Sequence, residues 1–151
     1  MILRPSSRAR ASAFNRGTNG EALLEFALTL PTVVVVMLWF FELTMTVYAY
    51  TVISDSAKEG VRYATVHGAL SGSPSGPVCP CPAVESVVKS FAQGSLHDIS
   101  GMTVTVSYPD LTLNLPSSLV KVQVTYALVP YLNLPWVAPT LKVGGQGRIV
   151  F

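Results

Sequence analysis

The chain has 151 residues, half of them hydrophobic and 12% charged, where a typical soluble domain carries about 25% charge, a deficit that disfavours both disorder and a freely soluble surface. Ten Lys and Arg face eight Asp and Glu, yet Arg4, Arg8, Arg10 and Arg16 all precede residue 20, so the remainder holds six bases against eight acids. The excess positive charge belongs to one short segment, and neither a polyanion-binding surface nor a nucleic-acid partner is expected.

Residues 1 to 20 hold four Arg, no acid and several Ser, Gly and Asn, a composition that cannot bury a core and reads as an extended basic leader. Sixteen residues without a charge follow from Phe26 to Phe41, and after the single Glu42 another twelve run to Ser54. A helix over residues 24 to 43 fits the roughly 30 Å hydrocarbon core of a bilayer, and one transmembrane span is predicted. A buried helix of a soluble domain would need more chain to cover it, and a cleaved secretory signal would have a shorter apolar region and a small-residue cleavage site. The Arg cluster before the span places residues 1 to 20 in the cytoplasm and the C-terminal part outside.

The helix does not stop at the membrane surface. Leu43, Val47, Tyr50, Ser54, Ala57, Val61 and Ala64 step by four and three and form one small-and-apolar stripe. Asp55, Lys58, Glu59 and Arg62 fall off it, with Glu59 and Arg62 three apart and able to pair. One long helix over 21 to 67 is expected, and its outer half must pack on something else. The loop 68 to 81, rich in Pro, Gly and Cys, ends it. Residues 82 to 94 place Pro82 at a first-turn position, valines and Phe91 at helical spacing, and Gly94 as a stop.

The period then changes to two. Met102, Val104 and Val106 alternate with polar residues, as do Val120, Val122, Val124 and Tyr126, which predicts half-buried strands. Residues 141 to 151 suggest a third strand with a bulge or bend at Gly144 and Gly145. The expected class is α+β: a long N-terminal transmembrane helix extends into a small head, residues 82 to 151, with a short helix and about three antiparallel strands.

Residues suited to catalysis are few. His67 and His97 lie near no recognisable nucleophile or ligand pattern, and no phosphate-binding, dinucleotide or metalloprotease motif occurs. No enzyme activity, cofactor, metal or small-molecule substrate is expected. Cys79 and Cys81 in V-C-P-C-P, on the outer side, read as a local disulfide pinning the loop, with intermolecular bridges or free thiols as alternatives; two ligands are too few for a closed zinc shell. Glu25 and Glu42 stand 17 residues apart, about 26 Å along a helix, so one falls near each headgroup layer. For Glu42, snorkelling to the interface and a packing role between subunits are both open.

The segment N-G-E-A-L-L-E-F, residues 19 to 26, resembles a prepilin processing site. Glu25, Phe26, Pro31, Glu42 and S-A-K-E-G-V-R-Y-A, residues 56 to 64, together resemble TadE-like pseudopilins of tight-adherence, or Flp-type, pilus systems. The resemblance implies cutting between Gly20 and Glu21 by a prepilin peptidase, leaving a 131-residue subunit of the bacterial inner membrane with a periplasmic head. It implies as partners the peptidase, other pilin subunits, the pilus assembly machinery and the lipid bilayer. Glu25 would be the fifth-position carboxylate that meets the freed α-amine of a neighbouring subunit, and Pro31 would loosen the helix. Glu59, Gly60, Arg62 and Tyr63 would have structural roles: Gly60 a close approach by another element, Arg62 a pair with Glu59, and Tyr63 an anchor near the head. The competing function is an uncleaved, membrane-anchored binding or scaffold module; a membrane-bound hydrolase using the histidines is the third.

Overall fold

The structure, a computed structural model, describes residues 18–76, 81–110, 114–132 and 139–150, with the backbone alone for Thr18 and Asn19. Five elements follow in chain order: α1 (Thr18–Val66), α2 (Pro82–Gln93), β1 (Met102–Ser107), β2 (Leu119–Ala127) and β3 (Thr140–Arg148). The class is α+β, as the patterning predicts. The chain divides into two compact units, one ending at Phe40 and the other running from Phe41 to Phe151. The second unit takes in the outer half of α1 as well as residues 82 to 151, so the head begins some forty residues earlier than the short helix.

In the first unit α1 is helical from Thr18, three residues before Glu21, so the last part of the expected extended leader is already helix. Every residue from Gly20 to Phe40 is exposed. Helical structure continues through Pro31, whose ring removes one backbone donor. The Thr29 and Thr32 hydroxyls donate to the Phe26 and Leu28 carbonyls, on either side of the Ala27 carbonyl that Pro31 leaves without its helical amide.

In the second unit the sheet has the order β1-β2-β3, antiparallel throughout. Val120, Val122, Val124 and Tyr126 of the central strand are wholly buried because alternation sends all four to the helical side. Burying each valine is worth about 1.5–3 kcal/mol. The opposite face carries Thr103, Thr105, Lys121, Gln123, Lys142 and Gln146, all exposed. On the helical side α1 contributes Ala49, Ile53, Ala57 and Ala64, and α2 contributes Val84, Val88 and Ala92. Ser56 is fully buried there but donates to the Ile53 carbonyl.

Two expectations are corrected. The face that α1 buries is Glu42, Ala49, Val52, Ile53, Ser56, Ala57, Gly60, Val61 and Ala64, centred roughly 80° around the axis from the predicted one. Ala57, Val61 and Ala64 of the predicted set are buried, whereas Leu43, Val47 and Tyr50 are exposed. Strand β3 has no bulge: its pairing with β2 runs in unbroken register from Leu119↔Arg148 to Ala127↔Thr140. Gly145 and Gly147 instead sit opposite Val122 and Val120 and make room for α1. A Cβ on Gly147 would stand 2.7 Å from Val61 Cγ1 and 2.8 Å from Thr65 Cγ2, and one on Gly145 would stand 3.0 Å from Val61 Cγ2.

The end of α1 is pinned from several directions. The His67 carbonyl accepts from the Ser75 amide and hydroxyl and from Asn114 Nδ2, so a carbonyl freed where the helix stops is satisfied by the loops. Asn114, fully buried, adopts a φ of 54°, a left-handed conformation asparagine tolerates better than most residues. Helix α2 starts at Pro82 and ends before Gly94, whose φ of −68° is an ordinary helical value; that stop does not depend on glycine's conformational freedom.

Candidate functional site

The sequence motifs fall into two groups. Gly20, Glu21, Glu25, Phe26 and Pro31 belong to the first unit, where all are exposed on the apolar helix. Glu21 lies in the first turn of α1, where the positive end of the helix dipole favours a carboxylate. A Cβ at Gly20 would meet nothing within 4 Å, so the Gly20-Glu21 bond lies in open space.

Glu42, Glu59, Gly60, Arg62 and Tyr63 belong to the second unit. Glu42 is buried at 6% exposure, directly after the apolar run. Its two carboxylate oxygens accept the backbone N–H groups of Tyr131 and Leu132, each at 3.2 Å. Two successive amides converging on one carboxylate offset the cost of burying it. The same loop is held by rings: Phe41 meets Tyr131 edge to face with centroids 6.4 Å apart, and His97 lies 4.2 Å from Tyr131. Tyr48 donates to the Ser95 carbonyl at 3.3 Å, tying α1 to the turn after α2. Neither snorkelling nor an intersubunit contact is needed to satisfy Glu42: its partners are in its own head.

Gly60 faces α2. A Cβ there would collide with Val88 Cγ2 and stand 3.4 Å from Val122 Cγ1, so this glycine is where helix, helix and sheet meet. Arg62, largely in solvent, and the half-buried Glu59 pair at 3.7 Å, an interaction of small energetic weight. Tyr63 stacks on His67 with centroids 3.9 Å apart and planes 17° apart, while His67 Nδ1 lies 2.9 Å from the Tyr63 carbonyl. The motif E-G-V-R-Y-A thus packs the head and secures the end of its spine. Both histidines lie against tyrosine rings.

Cys81 is buried and disulfide-bonded; Cys79 lies outside the described residues. Asp98, half-buried, accepts the Ser100 backbone amide and hydroxyl, and these bonds hold its carboxyl below the usual range. Sequence reasoning missed the Tyr131 and Leu132 amides, because a backbone donor 89 residues from its acceptor has no residue-type signature.

An exposed apolar helix long enough to cross a membrane, continuing into a small α+β unit, fits a single-pass membrane anchor. Residues 20–62 match the model of a family described as TadE-like protein, the family that the motif spacing resembles. That match covers 43 of the 151 residues and likens this part of the chain to a family associated with minor pilins of Tad pili. No curated protein and no solved structure gives a significant match.

Proposed function

We propose that the chain is a minor pilin or pseudopilin that a prepilin peptidase cuts between Gly20 and Glu21, and that the mature subunit takes part in assembling a tight-adherence (Flp-type) pilus or its secretion machinery. The observation that carries this reading is the family match, which begins at Gly20 itself and runs through the exposed apolar helix into the E-G-V-R motif. Local physics supports it. Gly20 sits in the first turn of α1, where a helix is held by the fewest bonds, and glycine weakens a helix by about 1 kcal/mol relative to alanine. A peptidase that must draw the chain into an extended form meets little resistance there.

Cleavage removes the four-arginine leader and creates an α-amine at the start of an apolar helix. An unpaired ammonium in hydrocarbon is penalised; the Glu25 carboxylate of a neighbouring subunit offers the opposite charge in a low-dielectric setting, where the attraction is strong. Before cleavage the arginines hold residues 1 to 20 in the cytoplasm, with the head in the periplasm and the span in the inner membrane. Comparing the mature N-terminus in cells with and without the peptidase tests the proposal.

A further inference from the structure

The apolar surface of α1 does not end with the run that stops at Phe41. Leu43, Val47, Tyr48 and Tyr50 are each 44% to 55% exposed, although the unit they belong to has a packed core. Counting from Glu25, roughly twenty residues reach the far side of the hydrocarbon, which places residue 45 at that boundary and Tyr48 and Tyr50 at headgroup level, the depth that tyrosine favours in membranes. On this count Glu42 lies where a bare carboxylate is costly. It is not bare, because the Tyr131 and Leu132 amides close over both oxygens, and the Tyr131 ring remains 39% exposed beside Phe41.

We propose that the Tyr131–Leu132 segment, clamped to α1 by the Glu42 carboxylate, joins Leu43, Val47, Tyr48 and Tyr50 in one collar that seats the head in the outer headgroup layer of the bilayer. This rests on the membrane-anchor reading. The occupant is lipid because the exposed apolar surface of α1 runs on past Phe41 through Leu43, Val47, Tyr48 and Tyr50, interrupted only by the small hydroxyls of Thr44 and Thr51 once Glu42 is covered. Its tyrosines pair an apolar ring with a polar tip, which suits a boundary that is wet on one side. Glu42 is then a positioning residue that holds a loop at the membrane surface.

The test uses the full-length chain with its native cysteines left oxidised, carrying a Tyr131→Cys substitution labelled with an environment-sensitive fluorophore and reconstituted in phosphatidylcholine vesicles. Thr105→Cys, on the exposed face of β1, reports water. Leu30→Cys, within the apolar run, reports the span. The collar predicts a blue-shifted label at residue 131 that loses most of its emission to lipid bearing a headgroup-level nitroxide, while the label at 105 keeps its emission. Adding Glu42→Gln to the Tyr131→Cys chain abolishes that quenching. A label at 30 quenched by an acyl-chain nitroxide, together with a label at 131 that behaves like the one at 105, overturns the collar and leaves the anchor standing. An unquenched label at 30 removes the anchor reading and the collar with it. A blue shift at 131 that follows the protein-to-lipid ratio but ignores the nitroxide assigns the surface to a second copy and also overturns the proposal.

Discussion

Glu42 and Tyr131, 89 residues apart in sequence, are joined where the carboxylate Oε1 accepts the Tyr131 backbone amide at 3.2 Å. The Leu132 amide takes the other oxygen, so one side chain fixes the Tyr131–Leu132 segment against α1. Glu42→Ala leaves two amides without their acceptor and is expected to cost about 2 kcal/mol. Amide hydrogen exchange checks this directly: protection at Tyr131 and Leu132 is lost in the variant, while the ladder amides of Val122 and Val124 keep theirs.

The glycines of β3 divide by face. Gly147 lies against Val61 and Thr65, whereas the nearest atom to a Cβ on Gly144 is the Val122 carbonyl oxygen at 3.6 Å, an ordinary contact. Gly147→Ala forces its methyl onto two β-branched side chains with little rotamer freedom and is expected to destabilise the head by about 1–3 kcal/mol. Gly144→Ala is expected to be neutral or mildly stabilising through the entropy of the unfolded chain. Denaturant midpoints of the two variants in the same detergent provide the comparison.

Gly60 gives the sharper version of the same test. In an open helix, replacing glycine by alanine gains about 1 kcal/mol of helix propensity. Here the new Cβ collides with Val88 of α2, and overpacking outweighs the gain. Gly60→Ala is expected to lower the melting temperature, and pairing it with Val88→Ala, which removes the colliding methyl, is expected to recover part of the loss.

Tyr126 predicts a pH dependence. Burial pushes its phenol above the ordinary value of 10.0, offset in part by a hydrogen bond from the Val129 backbone, and the hydroxyl donates to the Asp98 carbonyl at 2.7 Å. A folded value above the unfolded one means that this stabilisation is fully present below pH 10 and is lost as pH rises through the folded value. Absorbance titration should show two tyrosines, Tyr126 and the similarly burial-raised Tyr108, ionising later than the rest. Tyr126→Phe should remove one of these two late ionisations and reduce the alkaline loss of stability.

The elements of the head were legible because their periodicities are clean: β1 and β2 alternate strictly, and α2 has proline at its start. The exposed apolar helix was legible from a sixteen-residue uncharged run. What failed was the choice of face. Leu43, Val47 and Tyr50 are as apolar as the residues that α1 buries, and period alone cannot separate a face packed on a sheet from one left exposed beside a membrane span. The β3 glycines were misread for a related reason. A glycine in a strand marks either a bulge or a close approach, and choosing between them requires knowing that Val61 and Thr65 lie opposite. The partners of Glu42 are backbone amides, which any residue supplies, so no sequence pattern could have named them. The family spacing pointed to Glu42 as important without giving the reason.

The central claim is that this chain is a peptidase substrate whose mature form starts at Glu21. Its most direct test is the intact mass and N-terminal sequence of the membrane-fraction protein, with and without a co-expressed prepilin peptidase, for the natural chain and for Gly20→Ala. The account predicts a peptidase-dependent product of 131 residues beginning at Glu21, and its loss in the Gly20→Ala chain. A protein that keeps its four-arginine leader in the presence of an active peptidase would contradict the account and favour a permanently anchored scaffold.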